Sequence, residues 1–206
     1  MRLVSSHLTS HADVGSDTTR NQNNILMAHA AHDPRWLTAV RAQLDEVCGE
    51  NAERLPEYSD WDKLTWIHAT IKETLRIFPN LVQLGAPHAL TYFPYISQQF
   101  RFECFLMLCS KDDEYAGYHM EAGTVVLSNN FHITTNDKEY PEARRFNPER
   151  FMNDHVKDVL EGHLGWGSGR RVCIGWNVGW KNMFIVFSRL LYCFEFIEDP
   201  VFPLQV

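Results

Sequence analysis

What this sequence has little of narrows it first. No apolar run reaches the roughly 18 uninterrupted residues that a membrane helix requires, and the opening "MRLVSSHLTS" lacks the apolar centre of a secretory leader. As written, nothing in the chain is expected to anchor or export it. Positive charge is also sparse: 19 Lys and Arg stand against 26 Asp and Glu for a net charge of -7, and the cations are scattered rather than gathered in a stripe. A nucleic-acid partner is therefore not expected. The five cysteines, at positions 48, 104, 109, 173 and 193, form no C-x-x-C pair and show no zinc spacing. An odd, unpatterned set of this kind fits a reducing compartment. Internal repeats and low-complexity linkers do not stand out. What is present is the material of a folded core: 206 residues, 45% hydrophobic and 22% charged, enough for one domain or a compact part of a larger one.

Against that background "LGWGSGRRVCIGWNVGW", Leu164 to Trp180, is unusual. One cysteine, Cys173, stands among five glycines and two arginines, just before an apolar run long enough to be a helix. A thiolate is the form that attacks carbon or ligates metal, and a helix N-terminus and nearby cations favour it. Arg170, Arg171 and the run from Trp176 to Cys193 offer both. Gly165, Gly167, Gly169 and Gly175 strip side chains from the loop, so its backbone can approach something flat close to the sulfur. A planar metal macrocycle suits such a surface. A phosphate loop does not, because neither a G-K-[ST] ending nor G-x-G-x-x-G spacing is present. Taken alone, the loop is also consistent with a glycine-rich turn around a buried, inert cysteine.

"WGSGRRVCIG" resembles the cysteine-ligand signature of the cytochrome P450 family, F-x-x-G-x-R-x-C-x-G, with Trp166 in place of the phenylalanine. The resemblance implies haem as cofactor, Cys173 as axial thiolate to its iron, Arg171 as partner of a propionate, and Gly169 and Gly175 as points of close approach. Three further segments appear in the family's order. "WIHATIKETLRIFP" has Trp66, Ile67, Ile71, Leu75 and Phe78 at helical spacing and ends before Pro79. Glu73 and Arg76 share a face of it, and by spacing alone such a pair is usually a solvated contact worth little. The family's E-x-x-R motif implies that they lie inside, joined by Arg150 of "FNPERF" in a buried three-member network. "VGSDTT" resembles the distal-helix motif A-G-x-[DE]-T-T, with Val14 for alanine. It implies that Gly15 leaves room for dioxygen and that Asp17 and Thr18 relay protons; the same residues also suit a helix cap. His88 in "GAPHAL" falls where the family places a residue reaching a propionate.

The expected fold is mainly α with a small β-sheet, the C-terminal half of the cytochrome P450 fold, with residues 1–206 forming a single partial domain. "PRWLTAVRAQLDEVCG" reads as a helix opened by Pro34 and closed by Gly49. "APHAL", "EYAGYHM" and "GTVVLSNNFHI" read as short strands, and "CIGWNVGWKNMFIVFSRLLYCFEF" as a helix running into a final strand. Tyr92 to Ser110 packs six aromatic residues and two cysteines where the family runs straight from a strand into an acidic turn. It reads as an aberrant insertion, a translated intron, with a true apolar insertion as the alternative. Family members run more than twice this length, and eukaryotic ones are anchored in the endoplasmic reticulum; Met1 to His11 reads as a late start. The chain alone is expected to hold haem weakly. By resemblance the function is a monooxygenase of the eukaryotic, fungal type, acting on small organic substrates such as secondary metabolites. It uses dioxygen and electrons from a flavin-dependent NADPH-cytochrome reductase. The alternative is an inactive remnant or a non-catalytic haem-binding fragment.

Overall fold

The computed structural model describes residues 2–50, 53–79, 107–109, 111–126, 128–167 and 169–200. The chain divides into two units, residues 1–80 with 134–206 and residues 81–133. The first is built from helices: α1 (Arg2–His32), α2 (Leu37–Cys48), α3 (Thr65–Ile77) and α5 (Trp176–Cys193). Helix α1 supplies Leu26 and Ala30 to the core, α2 supplies Leu37, Val40 and Leu44, α3 supplies Ile67, Ile71 and Leu75, and α5 supplies Trp180, Met183, Phe184, Phe187 and Leu191. Trp36, Leu64 and Phe146 close gaps between them.

The start of α2 departs in detail from the sequence reading. Pro34–Trp36 is a tight 3-10 turn, capped by the Asp33 carboxylate accepting from the Arg35 N–H, and the α-helix proper begins at Leu37. Its end is as expected: Gly49 has φ of +96°, the backbone region that glycine adopts without strain, and its N–H returns to the Asp45 carbonyl.

Helix α3 is the central element, buried from Ile67 to Arg76 on every side. Six of those residues are polar or charged, so each needs a partner away from water. Thr70 and Thr74 donate back to the carbonyls of Trp66 and Thr70 at 2.8 and 2.7 Å. Lys72 Nζ donates to the His155 carbonyl at 2.6 Å. His68 donates from Nε2 to the Trp61 carbonyl at 3.0 Å and accepts the Trp180 indole N–H on Nδ1 at 3.2 Å. Its ring lies nearly coplanar with Trp180 across that bond and stacks on Phe184 at 5.2 Å, and the His163 ring lies nearly parallel to Trp180, 6.2 Å between centroids. His163 likewise accepts the Gly165 N–H on Nδ1 and donates from Nε2 to the Val159 carbonyl.

The second unit holds two separate two-stranded antiparallel ladders among its described residues. Strands β2 (Asp113–Tyr115) and β3 (Tyr118–Met120) form the hairpin read from "EYAGYHM", turning at Ala116 and Gly117 with φ of 52° and 83°. Positive φ at both turn residues matches the right-handed twist of the strands. Strand β1 (Met107–Leu108) pairs with β4 (Val125–Val126). "GTVVLSNNFHI" is only partly a strand: after β4 it becomes helix α4 (Asn130–Thr134), where the Asn129 side chain accepts the His132 N–H and starts a helical turn. After α5, residues 194–200 form no strand; Phe194 is extended, but no ladder partner is present among the described residues. "APHAL" and most of Tyr92–Ser110 lie outside the described residues.

Burial lowers the imidazoles of both His68 and His163 from the usual 6.5 to about 4. A folded-state value below the unfolded one means that stability is fully present above about pH 6.5 and is lost as pH falls toward 4. Each ring contributes on the order of 3 kcal/mol to that loss when fully protonated. Urea unfolding followed from about pH 7 downward is expected to show the midpoint falling through this window, and a midpoint independent of pH there would contradict the assignment.

Candidate functional site

Glu73 and Arg76, three residues apart on α3, are both 0% exposed. Arg76 grips the carboxylate with two bonds, Nε to Oε2 at 2.7 Å and Nη2 to Oε1 at 2.8 Å, and donates from Nη1 to the Thr134 carbonyl at 2.5 Å. Arg150 enters from the 3-10 turn Pro148–Phe151, with Nε 3.2 Å from Glu73 Oε2. Its remaining donors reach the carbonyls of Pro141 and Arg145 at 3.0 and 3.3 Å. The Asn147 N–H adds a 2.8 Å bond to Glu73 Oε1, and the Arg76 guanidinium lies 5.1 Å from the Tyr140 ring centre. One carboxylate thus holds α3 and the 140–151 segment together, with every charge hydrogen-bonded.

The cysteine loop packs against α3 through Gly165, which lies beside Leu75. The Cys173 N–H donates to the Trp166 carbonyl at 2.8 Å, and the Trp176 N–H to the Cys173 carbonyl at 3.3 Å. These bonds set the thiol at the entry to α5, whose first cap is Gly175. The loop glycines divide into two kinds. A side chain on Gly165 would sit 2.7 Å from Leu75 of α3, and one on Gly179 would sit 2.7 Å from the Trp166 ring, so these two glycines serve internal packing. Gly169 has φ of +63° with open space around it, and a side chain on Gly175 would lie 3.8 Å from the Cys173 sulfur. This second kind is not required to be small by internal packing. The reading in which every loop glycine serves the approach of a flat ligand is therefore corrected: Gly165 is small because α3 lies against it.

Cys173 is exposed, which removes the alternative of a buried, inert thiol. Two apolar side chains beside it are also bare, Ile174 at 96% and Val178 at 65% exposure. The Trp166 indole nitrogen is buried without a hydrogen-bond partner. One soft sulfur donor at a helix N-terminus, on an uncovered apolar patch, fits an iron porphyrin in donor type and in surface character.

"VGSDTT" lies well inside α1, so the helix-cap alternative is removed as well. A side chain on Gly15 would meet nothing within 4 Å. Asp17 is exposed and paired with Arg20 at 3.0 Å, while the Thr19 hydroxyl donates back to the Gly15 carbonyl at 3.0 Å. Two surface cavities, of about 320 Å³ beside Trp61 and Trp176 and about 480 Å³ beside His29 and Arg144, are lined neither by Cys173 nor by Gly15–Thr18. Neither cavity therefore joins the two segments. His88 and the side chain of Arg171 lie outside the described residues. The supporting histidines His68 and His163 escaped the sequence reading, because a lone histidine in an apolar segment has no motif; only the spacing of His68 within α3 marks it.

The structure makes Glu73 the most sensitive of these positions. Glu73→Gln leaves the buried Arg76 guanidinium and the partly buried one of Arg150 without their counter-charge, and a loss of about 3–5 kcal/mol in unfolding free energy is expected, measured by urea denaturation; a loss below about 1 kcal/mol would show the pairing to be incidental.

Comparison with known proteins agrees with the geometry. The cytochrome P450 family model matches residues 14–92 and 107–203. The cytochrome P450 monooxygenase fsoB of Humicola fuscoatra is 31% identical over 91% of this chain and 33% of its own length. Monooxygenase fogE of Aspergillus ruber is 32% identical over 93% and 33%. The chain thus spans about a third of the length of these curated relatives. A zebra fish cytochrome P450 solved with abiraterone superposes with a TM-score of 0.64 at 27% identity, covering 85% of this chain and 36% of that one. With its buried E-x-x-R lattice, its thiol at the head of α5 and these matches, the chain belongs to the cytochrome P450 family, whose cofactor is haem.

Proposed function

We propose that this chain forms part of a haem-thiolate monooxygenase that inserts one atom of dioxygen into a small organic substrate, the other leaving as water. Two electrons come from a flavin-dependent NADPH-cytochrome reductase. The observation behind this reading is the exposed Cys173 thiol, set by its own backbone bonds at the entry to α5 between the bare side chains of Ile174 and Val178. The relatives are fungal cytochrome P450 monooxygenases, and the substrate proposed by family resemblance is a secondary metabolite such as a terpenoid, polyketide or alkaloid.

Haem, when bound, supplies the activation of dioxygen and its transfer to carbon. Cys173 Sγ would be the protein's donor to the haem iron, and the loop bonds through Trp166 and Trp176 hold its backbone in place. Gly169 and Gly175 would leave room for the ring's approach to the sulfur, and Arg171 and His88 would pair with its propionates by family resemblance. On α1 the Thr18 hydroxyl would pass its proton toward the bound oxygen and recover one from the Asp17 carboxyl, which, exposed beside Arg20, would first take that proton from solvent water. The Glu73, Arg76 and Arg150 network takes no part in proton transfer; it fixes the floor on which the loop rests.

A carbon monoxide difference spectrum of the reduced, haem-supplemented protein tests the assignment. A thiolate-type Soret band is expected, and Cys173→Ala is expected to abolish it; a thiolate band surviving in that variant refutes the ligand. Failure of the unaltered protein to take up haem selects the other reading, a chain of this family without present activity.

We also propose that Tyr92–Ser110 is a translated intron. The family match breaks between residues 92 and 107, which supports an insertion there, while Met107–Leu108 at its far end pairs with β4. Sequencing of the mature transcript is expected to show this segment removed, and its retention in the message would defeat the idea.

A further inference from the structure

The 480 Å³ cavity lies away from the cysteine loop and takes no part in the function proposed above. It is lined by His29 and His32 at the end of α1, Asp33 and Arg35 in the turn that follows, and Arg144, Arg145 and Phe146 far along the chain. Phe146 is buried and stacks on the His29 ring at 4.5 Å, forming an uncharged floor. Burial lowers His29 from 6.5 to about 4, with His32 and Arg76 adding to the effect, so the floor is neutral near pH 7. Above it stand three exposed guanidiniums, converging from two segments separated by more than half the sequence.

The guanidiniums are not equivalent. Arg35 is held by both oxygens of Asp33, and Arg145 by Glu142 at 3.0 Å. Those carboxylates offset much of the two charges, but they also fix the side chains, so less rotamer freedom is lost when the remaining N–H donors bind something else. Arg144 makes no ion pair or hydrogen bond among the described residues. A solvated lysine or arginine on a convex surface needs no explanation. Three arginines gathered around a concave site of ligand size, two fixed and one unneutralised, are a different matter. The acidic groups nearby are accounted for: Asp33 and Glu142 by those arginines, and Glu198 by His32 at 3.3 Å.

We infer that this cavity is a binding site for a compact phosphate-type oxyanion, received by the free Arg144 and the outward donors of Arg35 and Arg145. The planar fork of guanidinium matches two oxygens of such an anion, and a neutral floor accepts a small apolar portion attached to it. The source is either a free phosphorylated small molecule or the headgroup of an anionic lipid, since both present the same oxygens. The inference is independent of the haem reading, because no lining residue belongs to the proposed catalytic site and its test requires no cofactor.

The experiment is a calorimetric titration of the whole protein with sodium pyrophosphate at constant ionic strength, repeated with Arg144→Ala and with Lys63→Ala. Lys63 is exposed and outside the cavity, so its variant makes the same charge change elsewhere. Saturable binding weakened about 5- to 10-fold by Arg144→Ala and unchanged by Lys63→Ala is expected, in keeping with one charge-assisted contact at a solvated site. A parallel arm measures co-sedimentation with phosphatidylcholine vesicles with and without phosphatidic acid. Arg144-dependent binding to the acidic vesicles without binding of pyrophosphate assigns the site to a headgroup; the converse assigns it to a free phosphate. Absence of saturable binding in both arms, or equal weakening by the two variants, overturns the proposal.

Discussion

The Glu73 carboxylate is the constraint on which the rest of the described structure depends. It sits at zero exposure, and three separate donors converge on it: the guanidinium of Arg76, that of Arg150 and the backbone N–H of Asn147. A charge in that position is costly unless every lone pair is used. Its partners therefore have to arrive together, and their arrival brings the 140–151 segment against α3. Once α3 is enclosed, its other polar side chains must also be satisfied internally, and Lys72, His68, Thr70 and Thr74 each are.

The enclosure extends to the site through a column of rings. His163, Trp180, His68 and Phe184 make successive ring contacts, with Trp180 and His68 joined by an N–H···N bond, and these tie the segment before the cysteine loop to α3 and α5. Both histidines use Nδ1 as an acceptor and Nε2–H as a donor, so each ring is fully bonded only when neutral. The loop is positioned by the same packing: Gly165 lets it close onto Leu75, and Gly179 makes room for the Trp166 ring. A rigid core of this kind lets one thiol be held at a fixed place while remaining exposed.

Two polarities of surface result. Around Cys173 the bare side chains include the apolar Ile174 and Val178, suited to a flat hydrophobic cofactor, alongside the exposed Arg170, whereas the cavity beside Phe146 is rimmed with guanidinium groups, suited to an anion. Neither is predicted by the overall acidic balance of the chain, because local placement and not net charge decides what a surface accepts.

The sequence by itself determined the helical framework, since apolar spacing in Ile67, Ile71 and Leu75 and the Gly49 stop are local signals, although Pro34 opens a 3-10 turn ahead of the α-helix. It also pointed to the family, because the spacing from Trp166 to Gly175 is a rare pattern of residue types and the family match covers it. It did not locate the end of the strand reading: Asn129 redirects "NNFHI" into α4, and residues 194–200 have no described ladder to join. Only the tertiary structure decided that α3 is buried on its polar side as well, that the arginines at 35, 144 and 145 share one cavity, and that Gly165 serves packing rather than a ligand. The physical reason is range: propensities and caps act over a few neighbouring residues, whereas burial of a charge depends on groups that the chain brings in from more than 70 positions away.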